Sequence, residues 1–333
     1  MPAPTQSDLH VNIPLTNVSI AWKQSASTYI ADKVFPKVPV QKQSDMYWKY
    51  SKSDWRRSDV KRRAPSTETP GTGWMVDSDS YFAHVYGVHK DIDDQLRANA
   101  DSVFNMDRDA TEFLTNQLLL QRDVDWCAQY FKTGVWTGAL TGVASGPTTN
   151  QFLRWDLAGS DPIGDVALAV LNFRKLTGFK PNIAVLGAQV MVALKQHADI
   201  LDRIKYTQKG IVTEDLIATL FDVDELYTAY ATINTVNDQF PDARVQDQAA
   251  AYDFVANSKG MLLAYAPAGP SILTPSAGYT FTWKGYLGGN AQGLKIKRFR
   301  MEPIASDRIE AEATYDMKVV APDLGTFFAT AVT

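Results

Sequence analysis

The stretch DSVFNMDRDATEFLTNQLLLQRDVDWCAQYFKT, Asp101–Thr133, is the longest periodic segment of the chain and sets the frame for the rest. Its apolar residues Val103, Met106, Ala110, Phe113, Leu120, Val124, Cys127 and Phe131 recur at near-heptad spacing, with Gln117 as the polar break. That is a helical period and not the alternation of a strand. A run of roughly 30 residues at 1.5 Å each spans about 45 Å, well beyond the three-turn mean of globular proteins. Asp101 suits the start, Asp107, Asp109 and Glu112 lie near the positive end of the dipole, and Lys132 with Gly134 suits the finish. Spacing alone describes a long core helix. A structural spine for an assembly subunit is the alternative, and it depends on the surrounding segments.

With 333 residues and 45% hydrophobic content the chain can build one large domain or two to three small ones. A formal net charge of −4 argues against a generally basic nucleic-acid binder and leaves room for a local patch. The single cysteine, Cys127, lies on the apolar stripe, so it reads as a buried structural thiol and excludes an intrachain disulfide. MPAPTQSDLH has neither the basic nor the apolar region of a signal peptide, and no apolar run has the length to cross a bilayer. A soluble protein of a reducing compartment, without membrane partners, is expected.

Residues 1–36, punctuated by Pro2, Pro4, Pro14 and Pro36, read as an extended arm with at most a short helix near Trp22 to Val34. Two strand-like runs follow, near Asp45 to Trp55 and Trp74 to Val88. They flank the polar tip RRSDVKRRAPSTETPGTG (Arg56–Gly73), an arrangement that predicts a long hairpin. A lone ribbon bearing Trp48, Tyr50, Trp55, Trp74, Tyr81, Phe82 and Tyr86 needs a surface for those rings. Either the chain's own body or another subunit supplies it. Residues 136–160 read as a glycine-rich connector. From Pro162 the pattern becomes α/β, with a helix ending at Gly178, a buried strand Asn182 to Leu186, and helices Gln189 to His197 and Thr213 to Phe221. Later strands are expected at Met261 to Tyr265, Tyr279 to Trp283, Leu294 to Met301, Arg308 to Val320 and Thr326 to Val332.

No constellation carries catalysis. The histidines His10, His84, His89 and His197 lack metal-site spacing, and the glycines of GYLGGN match neither a dinucleotide fingerprint nor a P-loop. Asp77 and Asp79 open a calcium-loop pattern that lacks its glycine and terminal glutamate. Asp93 and Asp94 suit a helix cap. No catalytic residue, cofactor or metal is therefore expected. The charges are more informative. From Lys37 to Arg63 the basic residues Lys37, Lys42, Lys49, Lys52, Arg56, Arg57, Lys61, Arg62 and Arg63 face only Asp45, Asp54 and Asp59. From Asp91 to Asp125 the balance reverses, with Asp91, Asp93, Asp94, Asp101, Asp107, Asp109, Glu112, Asp123 and Asp125 against Arg97, Arg108 and Arg122. Complementary patches steer encounter. Inter-subunit contacts are thus expected from Trp48, Lys49, Tyr50, Trp55, Arg56, Arg57, Lys61, Arg62 and Arg63 toward Asp91, Asp93, Asp94, Asp107, Asp109 and Glu112. Two solvated faces are the plainer alternative.

The order of parts, together with YGVHKDIDDQLRAN (86–99), RWDLAGSDPIGDV (154–166), KPNIAVLGAQVMVALKQHADILDRIKY (180–206) and PSAGYTFTW (275–283), resembles the major capsid proteins of tailed double-stranded DNA phages over essentially the whole chain. The resemblance implies an α+β fold of the Hong Kong 97 type. Its parts would be an N-terminal arm (1–36), an E-loop hairpin (37–88), a P-domain on the spine helix (89–135), an A-domain (161–290) and returning strands (291–333). It also implies hexamers and pentamers in an icosahedral shell around packaged double-stranded DNA, and portal, scaffold or decoration proteins as further partners. The virion is the expected location, after assembly in the host bacterial cytoplasm. An encapsulin-like nanocompartment shell is the alternative within the fold. A nucleic-acid-binding module using residues 49–63 is the alternative from another class.

Overall fold

The computed structural model of the chain describes residues 24–100, 105–204, 212–235, 251–270, 274–286 and 293–333. His10, most of the expected arm, Asp101, Val103 and the glycines at 288 and 289 lie outside the described residues. A short helix α1 (Ala31–Val34) precedes strand β1 (Lys37–Val40). Strands β2 (Ser44–Tyr50) and β3 (Val76–Phe82) pair as an antiparallel ribbon whose tip carries the single turn α2 (Lys52–Trp55). Strand β4 (His84–Asp93) leads through α3 (Asp94–Asn99) into the long helix α4 (Met106–Tyr130). Then follow β5 (Gly138–Val143), β6 (Gln151–Leu153), α5 (Pro162–Thr177), β7 (Ile183–Gly187), α6 (Ala188–Gln196), α7 (Ala198–Ile204), α8 (Glu214–Leu220) and β8 (Glu225–Ala229). The chain closes with β9 (Thr232–Asn234), β10 (Tyr252–Phe254), β11 (Met261–Ala264), β12 (Gly278–Trp283), β13 (Leu294–Met301), β14 (Ser306–Val319) and β15 (Gly325–Ala329).

Two sheets organise these elements. In the first, β14 pairs antiparallel with β4 from Ser306 to Tyr315, with β13 from Ser306 to Ala313 and with β12 from Asp316 to Val319, and β1 runs parallel to β12. Ile309, Ala311, Ala313, Tyr315 and Met317 point inward at the period of two that a half-buried strand requires, and α4 lies on that face. The second sheet has the order β6-β5-β15-β11-β7-β8, so the last strand of the chain sits in its middle. Strand β7 is buried throughout, as expected of a strand covered on both faces. Helix α5 begins where the Asp161 side chain accepts from the Gly164 N–H (2.8 Å) and stops at Gly178, which adopts φ +82°.

Three expectations are corrected. The spine helix is 25 residues long and is capped by Asn105, whose side chain accepts from the Arg108 N–H (3.1 Å). Its buried line is Ala110, Leu114, Leu118, Arg122, Trp126 and Tyr130, with Asp123 and Cys127 beside it, whereas Phe113 is 44% exposed. Each four-residue step overshoots a full turn by about 40°, so the line of contact winds round the rod. One charged residue, Arg122, sits on it and another, Asp123, lies beside it, and a search for apolar spacing passes over both. The run expected from Trp74 to Val88 divides at the buried Ala83, beyond which β4 leaves the ribbon for the first sheet. The glycine-rich connector is not a loop, because β5 and β6 lie within it. Its glycines serve close packing: a Cβ on Gly138 would fall 2.3 Å from Thr326 Oγ1, and one on Gly142 would fall 2.1 Å from the Thr330 carbonyl oxygen.

Candidate assembly interface

The ribbon has two unlike ends. At its base Tyr81 stacks on Phe281 of β12 with ring centroids 4.5 Å apart, and Tyr47 packs on the same ring at 5.4 Å. Alternation along β2 puts Tyr47 and Lys49 on this inner face, where Asp79 accepts from Lys49 Nζ (2.6 Å) and from the Tyr47 hydroxyl (3.1 Å). The Lys49 hydrogen bond is the main reason the Asp79 carboxyl falls to about 2. The other face of the ribbon and its tip are uncovered. Trp48 is 69% exposed, Trp55 61%, Trp74 65% and Met75 76%. Tyr50 meets Trp55 edge-on at 6.1 Å, which is the only partner ring either has among the described residues. Among the described residues the chain's own body therefore supplies a surface for the base and leaves the tryptophans Trp48, Trp55 and Trp74 largely exposed.

The basic residues of the ribbon are unevenly engaged. Lys52 pairs with Asp323, and Arg56 donates to the carbonyls of Leu176 and Lys175. Arg57 pairs with Asp59 (2.7 Å) and Asp54 (3.4 Å), and Arg63 donates to the Thr67 carbonyl. Lys61 and Arg62 extend from the tip and are exposed.

Asp91, Asp94, Asp107 and Asp109 of the spine region are answered by arginines of the same chain. Arg308 grips Asp91 with two hydrogen bonds (2.7 and 2.8 Å), and this lowers the Asp91 carboxyl. Arg300 holds Asp94 in the same manner (2.7 and 2.5 Å) and lowers it likewise. Asp107 lies between Arg97 and Arg298, each at 2.9 Å, while Asp307 joins Arg97, Arg298 and Arg300. Asp93 caps α3 through the Gln95 N–H (2.7 Å), Asp109 pairs with the adjacent Arg108 (3.4 Å), and Glu112 lies on the exposed side of α4. Asp123 is buried, and Asp125 accepts from the Tyr315 hydroxyl (2.7 Å). The complementary-patch expectation is thereby narrowed, since a carboxylate already bound to arginine attracts a second cation weakly. The partners Arg298, Arg300 and Arg308 lie some 200 positions downstream, 206 for Asp94 with Arg300, beyond the reach of local spacing. Arg298 and Arg300 belong to the basic strand LKIKRFRM and Arg308 to β14 itself, and only the pairing of β13 and β4 on β14 brings them to the spine.

Among the described residues no cluster of three or more His, Cys, Asp or Glu is placed to hold a metal ion, and no helix is long and apolar enough to cross a membrane.

No family model matches the sequence. The chain is 27% identical over 276 residues to the major capsid protein of Burkholderia phage BcepMu, covering 81% of this chain and 83% of that one. It is 24% identical over 323 residues to the major capsid protein of Pseudomonas phage JBD67, covering 96% of each. Its fold matches a phage-related protein from Bordetella bronchiseptica RB50 with a TM-score of 0.66 at 21% identity, over 92% of this chain and 93% of that one. It also matches the capsid structure of Cyanophage P-SCSP1u with a TM-score of 0.60 at 10% identity, over 98% and 95% of the two chains. The SrpI encapsulin complex from Synechococcus elongatus PCC 7942 shares the fold with a TM-score of 0.55 at 8% identity, over 96% and 95%. The resemblance to phage major capsid proteins holds in sequence and in structure, and the fold is the α+β capsid fold of the Hong Kong 97 type.

Proposed function

We propose that the chain is a structural major capsid protein, whose copies form the hexamers and pentamers of an icosahedral phage shell enclosing double-stranded DNA. The observation that carries this reading is the ribbon, anchored at Tyr47, Tyr81 and Phe281 and presenting Trp48, Trp55, Trp74 and Met75 to solvent. An exposed apolar patch on a two-stranded ribbon is the form expected of a surface that a second copy covers. Many weak contacts of this kind, made at once, place the stability in the assembly. In this reading the ribbon is the E-loop, the first sheet with α4 the P-domain and the second sheet the A-domain. Trp48, Tyr50, Trp55, Lys61, Arg62 and Arg63 contact a neighbouring subunit, and Asp109 and Glu112 lie on the face of α4 that receives them.

The shell is non-enzymatic and belongs to the virion, assembled in the host bacterial cytoplasm. Portal, scaffold or decoration proteins join it there, and packaged DNA touches it without sequence preference. An encapsulin-like shell has the same fold, but the curated sequence relatives are phage major capsid proteins. The nucleic-acid-module reading of residues 49–63 loses support because Lys49, Lys52, Arg56, Arg57 and Arg63 are engaged within the chain. Electron microscopy of the protein expressed alone and with its neighbouring genes tests the proposal. Closed shells or capsomer rings are expected, and monodisperse monomer under both conditions contradicts it.

A further inference from the structure

The tip of the ribbon is not free in the isolated chain. The guanidinium of Arg56 donates to the carbonyls of Lys175 (3.0 Å) and Leu176, in the last turn of α5. Gly178 occupies the preceding carbonyl, that of Arg174, at 2.7 Å, so Arg56 takes up the next two groups that the helix end leaves over. A cation there also meets the negative end of the helix dipole. One turn earlier in the ribbon, Lys52 pairs with Asp323, which lies just before β15 and also accepts from Thr137 Oγ1 (2.7 Å). Burial raises the Asp323 carboxyl, yet the bonds from Lys52 and Thr137 outweigh it and hold it below the usual range. Both acceptors belong to the second sheet and its helix, whereas the base of the ribbon sits on the first. The tip is therefore fastened to the far unit of its own chain through Lys52 and Arg56, with Trp55 beside the contact still largely exposed.

We propose that Lys52 and Arg56 form a cis clip that holds the ribbon on its own subunit, and that the clip opens before the ribbon docks on another copy. The inference rests on the assembly reading above for its purpose, though not for its geometry. Exposed ion pairs and helix-end contacts are individually weak and screened by salt, so this fastening is reversible. The clip sets the opposite sign from a trans contact. Removing a trans contact slows assembly, whereas removing a cis restraint frees the ribbon and speeds it.

The test uses the full chain with spin labels on Ser58→Cys at the tip and Asn172→Cys on α5, with the buried Cys127 left in place, in the presence and absence of Lys52→Ala/Arg56→Ala. A narrow distance distribution that broadens in the double variant, and in the parent chain at high salt, supports the clip. Several-fold faster assembly of the unlabelled double variant, followed by light scattering at equal concentration, supports its role. Unchanged distances in the double variant, or slower assembly, overturn the proposal. Distances that broaden while neither chain assembles under any condition keep the clip and count against the shell reading instead.

Discussion

The guanidinium of Arg122, buried in the middle of α4, donates from Nη1 to both carboxylate oxygens of Asp32 at 2.8 Å. The neighbouring Asp123 accepts from the backbone N–H groups of Ile30 (2.8 Å) and Ala31 (2.9 Å). Two consecutive charged residues on the spine thus fix the segment that runs from Gln24, bonded to Thr232 at 2.6 Å, to β1 in the first sheet. Phe35 completes the attachment by packing among Trp126, Tyr130 and Trp136.

Replacing Arg122 by Met leaves Asp32 with Lys37 alone in a half-buried setting. Breaking a buried pair from one side costs about 3 kcal/mol. The expected outcome in chemical denaturation is a loss of that size, together with protease cleavage between residues 24 and 36 in the native protein. Unchanged stability and resistance contradict the anchoring role.

Burial pushes the Asp123 carboxyl up to about 6, against the pull of the two N–H donors. Asp32 adds to the rise, whereas Lys33 opposes it. A carboxyl raised in the folded state binds its proton more tightly there than in the unfolded chain, so its contribution favours folding as the pH falls from about 6 toward 4 and is lost as the pH rises. At roughly 1.4 kcal/mol per unit the span is worth about 3 kcal/mol. Asp123→Asn keeps an acceptor oxygen and removes the titration. The parent chain is expected to gain stability relative to this variant between pH 7 and pH 4, and a pH-independent difference contradicts the account.

Gly142 and Gly146 separate packing from flexibility in the segment between α4 and α5. Gly142→Ala drives a Cβ to 2.1 Å from the Thr330 carbonyl oxygen and is expected to cost about 3 kcal/mol. Gly146 adopts φ +58° with open space around it, so Gly146→Ala costs only about 1 kcal/mol of left-handed strain. Equal effects in thermal unfolding contradict the strand assignment.

Leu114 and Phe113 report on the face that α4 buries. Leu114→Ala is expected to cost about 3 kcal/mol, and Phe113→Ala less than about 0.5 kcal/mol. The reverse order restores the heptad stripe read from spacing.

Several helices and later strands were legible because periodicity and stop signals are local: the helix from Pro162 that ends at Gly178, the one near Thr213 to Phe221, and LKIKRFRM as β13 all lie where the spacing places them to within a residue or so. The fold class was legible from the order of those parts. What was not legible depends on neighbours distant in the chain. Gly138 and Gly142 signal a loop by composition and become strand residues only because Thr326 and Thr330 approach them. Arg122 and Asp123 look like surface charges until α1 is laid over them. The ribbon's tryptophans are by composition rings in need of a surface, and among the described residues Trp48, Trp55 and Trp74 stay largely exposed.

Sedimentation velocity of the purified full chain over a wide concentration range tests the central claim most directly. A subunit of a closed shell is expected to shift from monomer to ring-sized and larger species as concentration rises, and to lose those species when Trp48, Trp55 and Trp74 are replaced by Ser while the fold is retained. A single monomer boundary at every concentration, or growth that the triple substitution leaves unchanged, contradicts it.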